Sequence, residues 1–144
     1  MEITNYYTEA GEGFPLILLH GNGENHEYFV HQIACFSKNH RVLALDTRGH
    51  GKTPRGDGPF TIAQFAEDLR VFLDNLNIQQ ADILGFSDGG NIAMVFAMKY
   101  PGRVRNLILN GANLDAKGVK PVVQIPIVLG YWLAGLFAAK SPQA

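Results

Sequence analysis

Four short strand-like runs, separated from one another by segments of helical periodicity, constrain this chain more than any other feature. The runs lie at residues 16–19, 42–45, 81–84 and 104–109. The first two runs are continuously apolar, which is typical of strands buried on both faces, and such strands occur mainly in parallel sheets. Before them, residues 2–8 are predicted as an edge strand and residues 11–13 as a hairpin turn. The alternation predicts an α/β fold with a mostly parallel sheet flanked by helices.

The segments between the runs predict three helices, at residues 25–38, 62–76 and 88–99. The second helix has the clearest start signal. Thr61 is expected to be its N-cap, and Gln64 completes a capping box. Phe60 and Phe65 occupy the positions of a hydrophobic staple. The order of strands and helices is therefore β-α-β-α-β-α-β after the edge strand.

The composition is that of one ordinary globular domain. Hydrophobic residues make up 47% of the 144 residues and charged residues 17%, so a sizeable core can be buried. The formal net charge of -1 gives no electrostatic reason to expect a nucleic-acid partner. Cys35 is the single cysteine, which excludes a disulfide framework and a cysteine-rich metal site. No metal and no cofactor is predicted, and the lack of a signal-peptide pattern at the start predicts a cytoplasmic protein.

The segment from residue 122 to residue 139 is mostly apolar and almost uncharged, long enough to raise the question of a membrane span. Four residues interrupt its apolar character, namely Gln124, Pro126, Gly130 and Gly135. We therefore expect an apolar lid or core helix in this segment rather than a membrane helix.

Residues 85–89 (Gly-Phe-Ser-Asp-Gly) match the pattern G-x-S-x-G between a predicted buried strand and a predicted helix, the context that this motif requires. Gly85 and Gly89 remove side chains where a sharp turn brings the strand and helix backbones together. Ser87 is thereby expected at the tip of the turn, in a strained conformation with its hydroxyl exposed. The plainer alternative is a turn rich in serine and glycine that has no chemical role.

A second glycine-rich segment, His20-Gly21-Asn22-Gly23, directly follows the first buried strand. Loops at the carboxyl ends of parallel strands converge on a ligand crevice, where a backbone N–H can bind a developing oxyanion. We assign this role to the N–H of Asn22 together with the N–H of Asp88, the residue after the serine. Taken alone, a His-Gly pair is more often a plain turn.

Three segments resemble, in order and in spacing, the signature segments of the α/β-hydrolase family: residues 20–23, residues 46–51 (Asp-Thr-Arg-Gly-His-Gly) and residues 85–90. The resemblance covers nearly all of residues 14–115. It implies that Ser87 is a catalytic nucleophile. It also implies that Asp46 and Arg48 brace the loop after their strand, with a supporting role at the crevice as the alternative. The implied role of His20 is structural, with that of general base as the alternative.

The resemblance also exposes what the chain lacks, because the acid and the histidine of the family follow the nucleophile in chain order. All of the histidines precede Ser87, namely His20, His26, His31, His40 and His50. Asp115 lies just beyond the strand at residues 104–109, where the resemblance implies that a minority of the family carries its acid; the alternative is a solvated loop aspartate. The resemblance thus implies a hydrolase fold truncated before its C-terminal strands. Residues 1–118 would form the N-terminal part of the core, and residues 119–144 would begin an apolar cap.

These features favour a hydrolase of small carboxyl esters or related acyl compounds, with an incomplete triad in these 144 residues. Two alternatives stay open, hydrolysis of an activated C–C bond by the same serine architecture and a truncated, non-catalytic binding fragment. Haloalkane dehalogenases and epoxide hydrolases share the fold but need a carboxylate nucleophile, so serine at position 87 argues against both. An exposed last strand and the apolar segment after it predict that the isolated chain self-associates.

Overall fold

The computed structural model describes residues 3–113 and four residues of the segment that follows, namely Val122, Ile125, Pro126 and Leu129. The chain divides into two units, Met1–Ala112 and Asn113–Ala144. The four described residues of the second unit's apolar segment are helical and exposed. Asp115, the candidate acid, lies outside the described residues, and so does nearly all of the predicted cap at residues 119–144.

The first unit is an α/β structure. In chain order its elements are β1 (Tyr7–Ala10), β2 (Phe14–Leu19), a 3-10 turn (His26–Phe29), α1 (Val30–Phe36), β3 (His40–Leu45), α2 (Ile62–Asn75), β4 (Ala81–Phe86), α3 (Asp88–Lys99), a second 3-10 turn (Pro101–Arg103) and β5 (Val104–Asn110). The strands lie in the order β1-β3-β2-β4-β5. All neighbours are parallel except β1, which runs antiparallel to β3. The predicted mostly parallel sheet with flanking helices is confirmed.

The start of the chain differs from the prediction. The edge strand covers Tyr7–Ala10 rather than residues 2–8, because the residues before it bond to the loop after β3 instead of to a neighbouring strand. The Asn5 side-chain amide donates to the Asp46 carbonyl over 3.1 Å, and the Tyr6 N–H donates to Thr53 Oγ1 over 2.8 Å. The predicted hairpin at residues 11–13 is also wrong, because β3 lies between β1 and β2. A Cβ on Gly11 would overlap the Ser37 carbonyl, so this glycine permits a close backbone approach.

The sheet carries a hydrophobic core on each face, and the alternation of side chains along each strand decides which face a residue enters. On one face, inward residues of β2, β3 and β4 pack against α2 and α3, with Phe65, Leu69 and Phe96 among the helical contributors. On the other face, Leu16, Leu18, Val42 and Ala44 pack with Phe29. Burial on both faces explains why these strands read as continuously apolar runs.

Helix α2 begins where the sequence predicts, with one difference in its cap. The Gln64 N–H donates to Thr61 Oγ1 over 3.2 Å, and the Phe60 and Phe65 rings meet edge to face at 4.9 Å between centroids. The Gln64 side chain, however, bonds to Asp68 Oδ1 over 3.1 Å instead of returning to Thr61. The N-cap and the staple are confirmed, whereas the reciprocal half of the capping box is wrong because Asp68 offers a charged acceptor.

Within the part of the chain that the structure describes, no helix is long and apolar enough to span a membrane. Most of the apolar segment at residues 122–139 lies outside that part. The predicted helix at residues 25–38 is shorter than expected, since it consists of the 3-10 turn at His26–Phe29 followed by α1 at Val30–Phe36.

Candidate active site

The three motifs that the sequence singles out meet at the carboxyl edge of the sheet. In the strand register, Leu19 at the end of β2 lies opposite Leu45 at the end of β3 on one side and opposite Gly85 of β4 on the other. The residues that follow these positions therefore emerge side by side. His20 follows β2 directly, and Ser87 follows β4 directly.

Ser87 occupies a sharp turn between β4 and α3 with strained backbone angles, φ 52° and ψ -117°. A non-glycine residue held in so sparsely populated a region costs on the order of 1–3 kcal/mol. The two motif glycines allow the turn to form. A Cβ on Gly85 would overlap the Gly89 carbonyl, and a Cβ on Gly89 would overlap the Leu19 carbonyl at the end of β2. The serine residue itself is half-buried.

Main-chain hydrogen bonds hold the turn in this strained form. The Ser87 N–H donates to the Asn110 carbonyl at the end of β5 over 2.8 Å, and the Ser87 carbonyl accepts from the Gly90 N–H over 2.9 Å. Asp88 is the first residue of α3, so its N–H is one of the helix's first four, which have no intrahelical acceptor. The Asp88 carboxylate instead accepts from the Asn91 side chain over 3.3 Å, along the helix.

The loop after β2, residues 20–25 and called the β2 loop below, lies against Ser87. A Cβ placed on Gly21 would stand 3.3 Å from Ser87 Cβ and 3.2 Å from Phe86 Cδ1, so only glycine allows this approach without displacing a neighbour. The next residue, Asn22, is exposed, and its Oδ1 lies 3.4 Å from His50 Nε2. The structure thus brings the two glycine-rich motifs into contact.

His20 is buried, and both of its ring nitrogens are engaged. Nδ1 lies 2.7 Å from the Gly21 carbonyl, and Nε2 lies 3.0 Å from the Thr47 N–H. A carbonyl can only accept and a backbone N–H can only donate, so these partners assign the proton to Nδ1 and the lone pair to Nε2. Burial lowers the pKa of His20 and keeps the ring neutral. His20 therefore connects the β2 loop to the loop after β3 and has no free nitrogen to act as a base for Ser87.

Asp46 is a fully buried brace for the loop after β3. Its Oδ1 accepts from the His26 N–H over 2.7 Å and faces His26 Nδ1 at 2.8 Å, while its Oδ2 accepts from the Lys52 N–H over 2.8 Å. Burial alone would raise the pKa of Asp46, but these hydrogen bonds outweigh it and the pKa is lowered. A Cβ on Gly51 would overlap the Asp46 carboxylate.

Arg48 fastens the same loop to helix α2. Its Nε and Nη2 each donate to the Asp68 carboxylate over 2.7 Å in a bidentate pair, and its Nη1 donates to the Arg55 carbonyl over 3.2 Å. The Arg48 side chain is almost completely buried. Asp46 and Arg48 hence have the bracing positions that the family resemblance implies.

Sequence reasoning missed three residues that shape this edge of the sheet. The Glu24 carboxylate accepts the Gly21 N–H over 2.9 Å, Thr47 binds His20, and Asp68 binds Arg48. A carboxylate three residues after the His-Gly pair is a detectable signal for the first, because it can reach back to a backbone N–H of a tight loop. Nothing local marks Asp68, which is 20 positions from Arg48.

Among the described residues, no group of three or more histidine, cysteine, aspartate or glutamate side chains is placed to hold a metal ion. The remaining histidines near this edge have protein partners. His26 faces Asp46, and His50 Nδ1 lies 3.1 Å from both Thr47 Oγ1 and the Arg48 carbonyl.

The chain is similar to known hydrolases in its sequence. The family model for the alpha/beta hydrolase fold matches residues 15–143. The chain is 40% identical over 107 residues to a 2-hydroxymuconate semialdehyde hydrolase from Pseudomonas putida, covering 72% of the chain and 38% of that protein. It is 37% identical over 114 residues to 3-oxoadipate enol-lactonase 2 from Acinetobacter baylyi, covering 78% of the chain and 42% of that protein.

A solved structure shows the same likeness in three dimensions. The chain superposes on a marine microorganism esterase with a TM-score of 0.72 at 30% identity, covering 74% of the chain and 41% of the esterase. The chain thus spans well under half the length of these curated and solved relatives.

Proposed function

The chain belongs to the α/β-hydrolase fold family, and from that premise we propose that the complete protein is a serine hydrolase of small carboxyl esters or related acyl compounds. Ser87 is the proposed nucleophile. The observation that carries the proposal is the strained Ser87 backbone at a strand-to-helix turn, with Gly21 packed against it. Strained backbone conformations cost free energy, persist only where the surrounding structure enforces them, and cluster at functional sites.

The proposed chemistry is acyl transfer through a covalent intermediate. Ser87 Oγ loses its proton to a base and bonds to the substrate carbonyl carbon, and the carbonyl π electrons move to the oxygen as the tetrahedral intermediate forms. Its collapse breaks the ester C–O bond and releases the protonated alcohol, and water then hydrolyses the acyl-serine to the acid and free Ser87. The backbone N–H groups of Asn22 and Asp88 are the proposed donors to that oxyanion. Asn22 follows Gly21, which packs against Ser87, and Asp88 follows Ser87 at the start of α3. Donors from two separate elements support the proposal of preorganised binding of the charge.

A serine hydroxyl needs a base to take its proton before it can attack. His20 cannot serve, because both of its nitrogens are hydrogen-bonded within the protein. No histidine follows Ser87 in these 144 residues. We therefore propose that the base comes from a part of the protein outside these 144 residues. The acid that orients it comes either from that part or from Asp115. Without them, only the residual catalysis of the oxyanion donors and of binding is expected.

Hydrolysis of an activated C–C bond is the second candidate. The relative that is 40% identical carries the name 2-hydroxymuconate semialdehyde hydrolase, and the enol-lactonase relative at 37% carries the name of an ester-bond hydrolase. Both reactions need an activated serine and an oxyanion site, so the described residues serve either. Parallel assays with p-nitrophenyl acetate and with 2-hydroxymuconate semialdehyde separate the two.

The direct test is Ser87→Ala in the complete protein. Turnover of either substrate should fall to the rate without enzyme, while the circular dichroism spectrum stays that of the unchanged protein. Ser37→Ala, at the end of α1 and before the start of β3, is the matched control and should retain activity. Retained turnover in a folded Ser87→Ala variant would contradict the assignment. Absence of turnover in the unchanged complete protein would favour a non-catalytic binding function.

A further inference from the structure

We propose that Glu24 is a positioning residue for the oxyanion site, holding the peptide between Gly21 and Asn22 so that the Asn22 N–H is aimed correctly. The inference rests on the proposed function of Ser87 and adds a residue to it. Glu24 lies in the β2 loop, three positions after the glycine that packs against the serine. It is half-buried there.

Two hydrogen bonds link Glu24 to Gly21 in opposite directions. The Gly21 N–H donates to Glu24 Oε2 over 2.9 Å, and the Glu24 N–H donates to the Gly21 carbonyl over 3.3 Å. The first bond has an ionised acceptor, which makes it about twice as strong as a neutral one. The β2 loop is therefore closed by its own side chain at the point where it touches Ser87.

Because the peptide bond is planar, this pair of Gly21–Glu24 hydrogen bonds, called the Glu24 clamp, also orients the N–H of Asn22. The Gly21 carbonyl and the Asn22 N–H belong to the same trans peptide unit, so they point in opposite directions. The Gly21 carbonyl accepts one hydrogen bond from His20 Nδ1–H over 2.7 Å and a second from the Glu24 N–H. Fixing the carbonyl on that side fixes the direction of the Asn22 N–H on the other.

The same clamp selects which amide of the loop can serve the oxyanion. The Gly21 N–H is directed into the Glu24 carboxylate and is withheld from a substrate. Two neighbouring peptide groups are thus held by one residue, one as an internal donor and the next as the proposed oxyanion donor. In a loop without these bonds, either amide could turn toward the oxyanion, and neither would be held in the geometry that preorganised stabilisation requires.

The charge of Glu24 is separable from its hydrogen-bonding role. A negative charge near a developing oxyanion opposes it, so the carboxylate is useful as an acceptor for the Gly21 N–H and not as an anion. A glutamine side chain at this position would keep an acceptor oxygen and remove the charge. Positioning therefore predicts that Glu24→Gln behaves much like the natural residue, whereas Glu24→Ala, which lacks an acceptor, does not.

The test measures kcat and KM for p-nitrophenyl acetate in the complete protein. Glu24→Ala should lower kcat by about 10-fold to 100-fold, less than the roughly 10²–10³-fold loss of a whole oxyanion donor, with KM changed by less than about twofold. Glu24→Gln should restore kcat to within about threefold of the natural protein. Glu27→Ala is the matched control in the neighbouring turn, where the residue is exposed, and should leave both constants unchanged.

Two results would overturn the proposal. One is an unchanged kcat in a folded Glu24→Ala variant, and the other is an equal loss in Glu24→Gln and Glu24→Ala, which would assign the effect to the charge. If the natural protein shows no turnover that depends on Ser87, the proposed function fails by itself. Amide NMR with ¹⁵N-glycine then decides the positioning claim: the Gly21 signal must shift in Glu24→Ala and stay near its place in Glu24→Gln, and an unmoved signal in Glu24→Ala refutes the clamp.

Discussion

Ser87 keeps an unfavourable backbone because the neighbouring strands and helix leave it no other. Its N–H is bound to the end of β5 and its carbonyl to the first turn of α3, so relaxing φ 52° would break hydrogen bonds on both sides. The gain from that conformation is local: it presents the side chain at the tip of the turn. A residue without Cβ would adopt the same angles at little cost.

Ser87→Gly is accordingly expected to stabilise the fold while removing the proposed nucleophile. Relief of strain is worth about 1–3 kcal/mol, and the greater freedom of glycine in the unfolded chain offsets part of it. We expect the free energy of unfolding in urea to rise by about 1 kcal/mol. Ser37→Gly is the control, because Ser37 has ordinary helical angles and should lose up to about 1 kcal/mol. A loss of stability in Ser87→Gly would contradict the strain assigned to this turn.

Asn22 is expected to act through its backbone, so its side chain should be dispensable. Asn22→Ala in the complete protein removes the side-chain amide, including the 3.4 Å contact between Oδ1 and His50 Nε2, and leaves the backbone N–H in place. We expect kcat to fall by less than about tenfold, against the roughly 10²–10³-fold loss when a side-chain oxyanion donor is removed. Steady-state kinetics with p-nitrophenyl acetate measures this. A loss of the full size would make the amide side chain the donor.

Among the elements, β4 and β5 are joined by an ion pair at the end of the sheet opposite the candidate site. The Arg105 guanidinium binds the Asp82 carboxylate through Nε over 2.9 Å and through Nη2, and Asn106 Nδ2 donates to the same carboxylate over 2.9 Å. Asp82 is buried in this arrangement. The Arg105 guanidinium is the main reason that the pKa of Asp82 is lowered, with the Asn106 side chain adding to it.

The direction of this shift fixes how stability should depend on pH. A carboxyl with a lower pKa in the folded state stabilises the fold at pH values above its unfolded pKa of about 3.9, and this stabilisation disappears as the pH falls through the folded pKa. Asp82→Asn should cost about 1–3 kcal/mol at pH 7, and the difference from the natural protein should narrow below about pH 4. Urea unfolding at several pH values measures the difference. A gap that stays constant down to about pH 2 would show that Asp82 does not titrate as described.

Elements dictated by local sequence could be predicted, and elements dictated by distant partners could not. The helix at residues 88–99 and the Thr61 cap were predictable, because a strand-to-helix motif and a capping residue are local signals. The position of β1 was not, since Asn5 and Tyr6 are held by residues 41 and 47 positions away. The pairing of Arg48 with Asp68 was not predictable either, since the two residues are 20 positions apart.

For the candidate site, the sequence predicted that the two glycine-rich motifs meet, but not the hydrogen bonds that fix their loops. Ser87 and Gly21 could be placed together because both follow strands of one parallel sheet. The tautomer of His20 could not be predicted, because it depends on the Thr47 N–H presented by the loop after another strand. The spacing of Glu24 from Gly21 is a local signal, but the backbone N–H that its carboxylate accepts is fixed only by the conformation of the β2 loop.

At the scale of the whole molecule, the last strand among the described residues carries exposed apolar side chains. Leu107, Ile108 and Leu109 of β5 are 37%, 47% and 41% exposed, and β5 forms one edge of the sheet. An exposed apolar edge strand is a template for pairing with another chain. We propose that these 144 residues, produced alone, associate with a second copy through β5.

Ile108→Lys tests that association, because a charge on an edge strand opposes strand pairing. Light scattering after size exclusion at micromolar concentration should show dimers or larger species for the unchanged chain and mainly monomer for the variant. Met98→Lys is the matched control, since Met98 is 66% exposed on α3, and it should leave association unchanged. A monomeric unchanged chain with a cooperative melt would refute the self-association.

The most direct test of the account is labelling of the complete protein with a fluorophosphonate, which forms a covalent bond only with an activated nucleophile. The account predicts one adduct per chain, mapped by peptide mass spectrometry to Ser87, and no adduct in the Ser87→Ala variant. An adduct at any other residue, with Ser87 unmodified in a protein that turns over ester, would contradict the claim that Ser87 is the nucleophile.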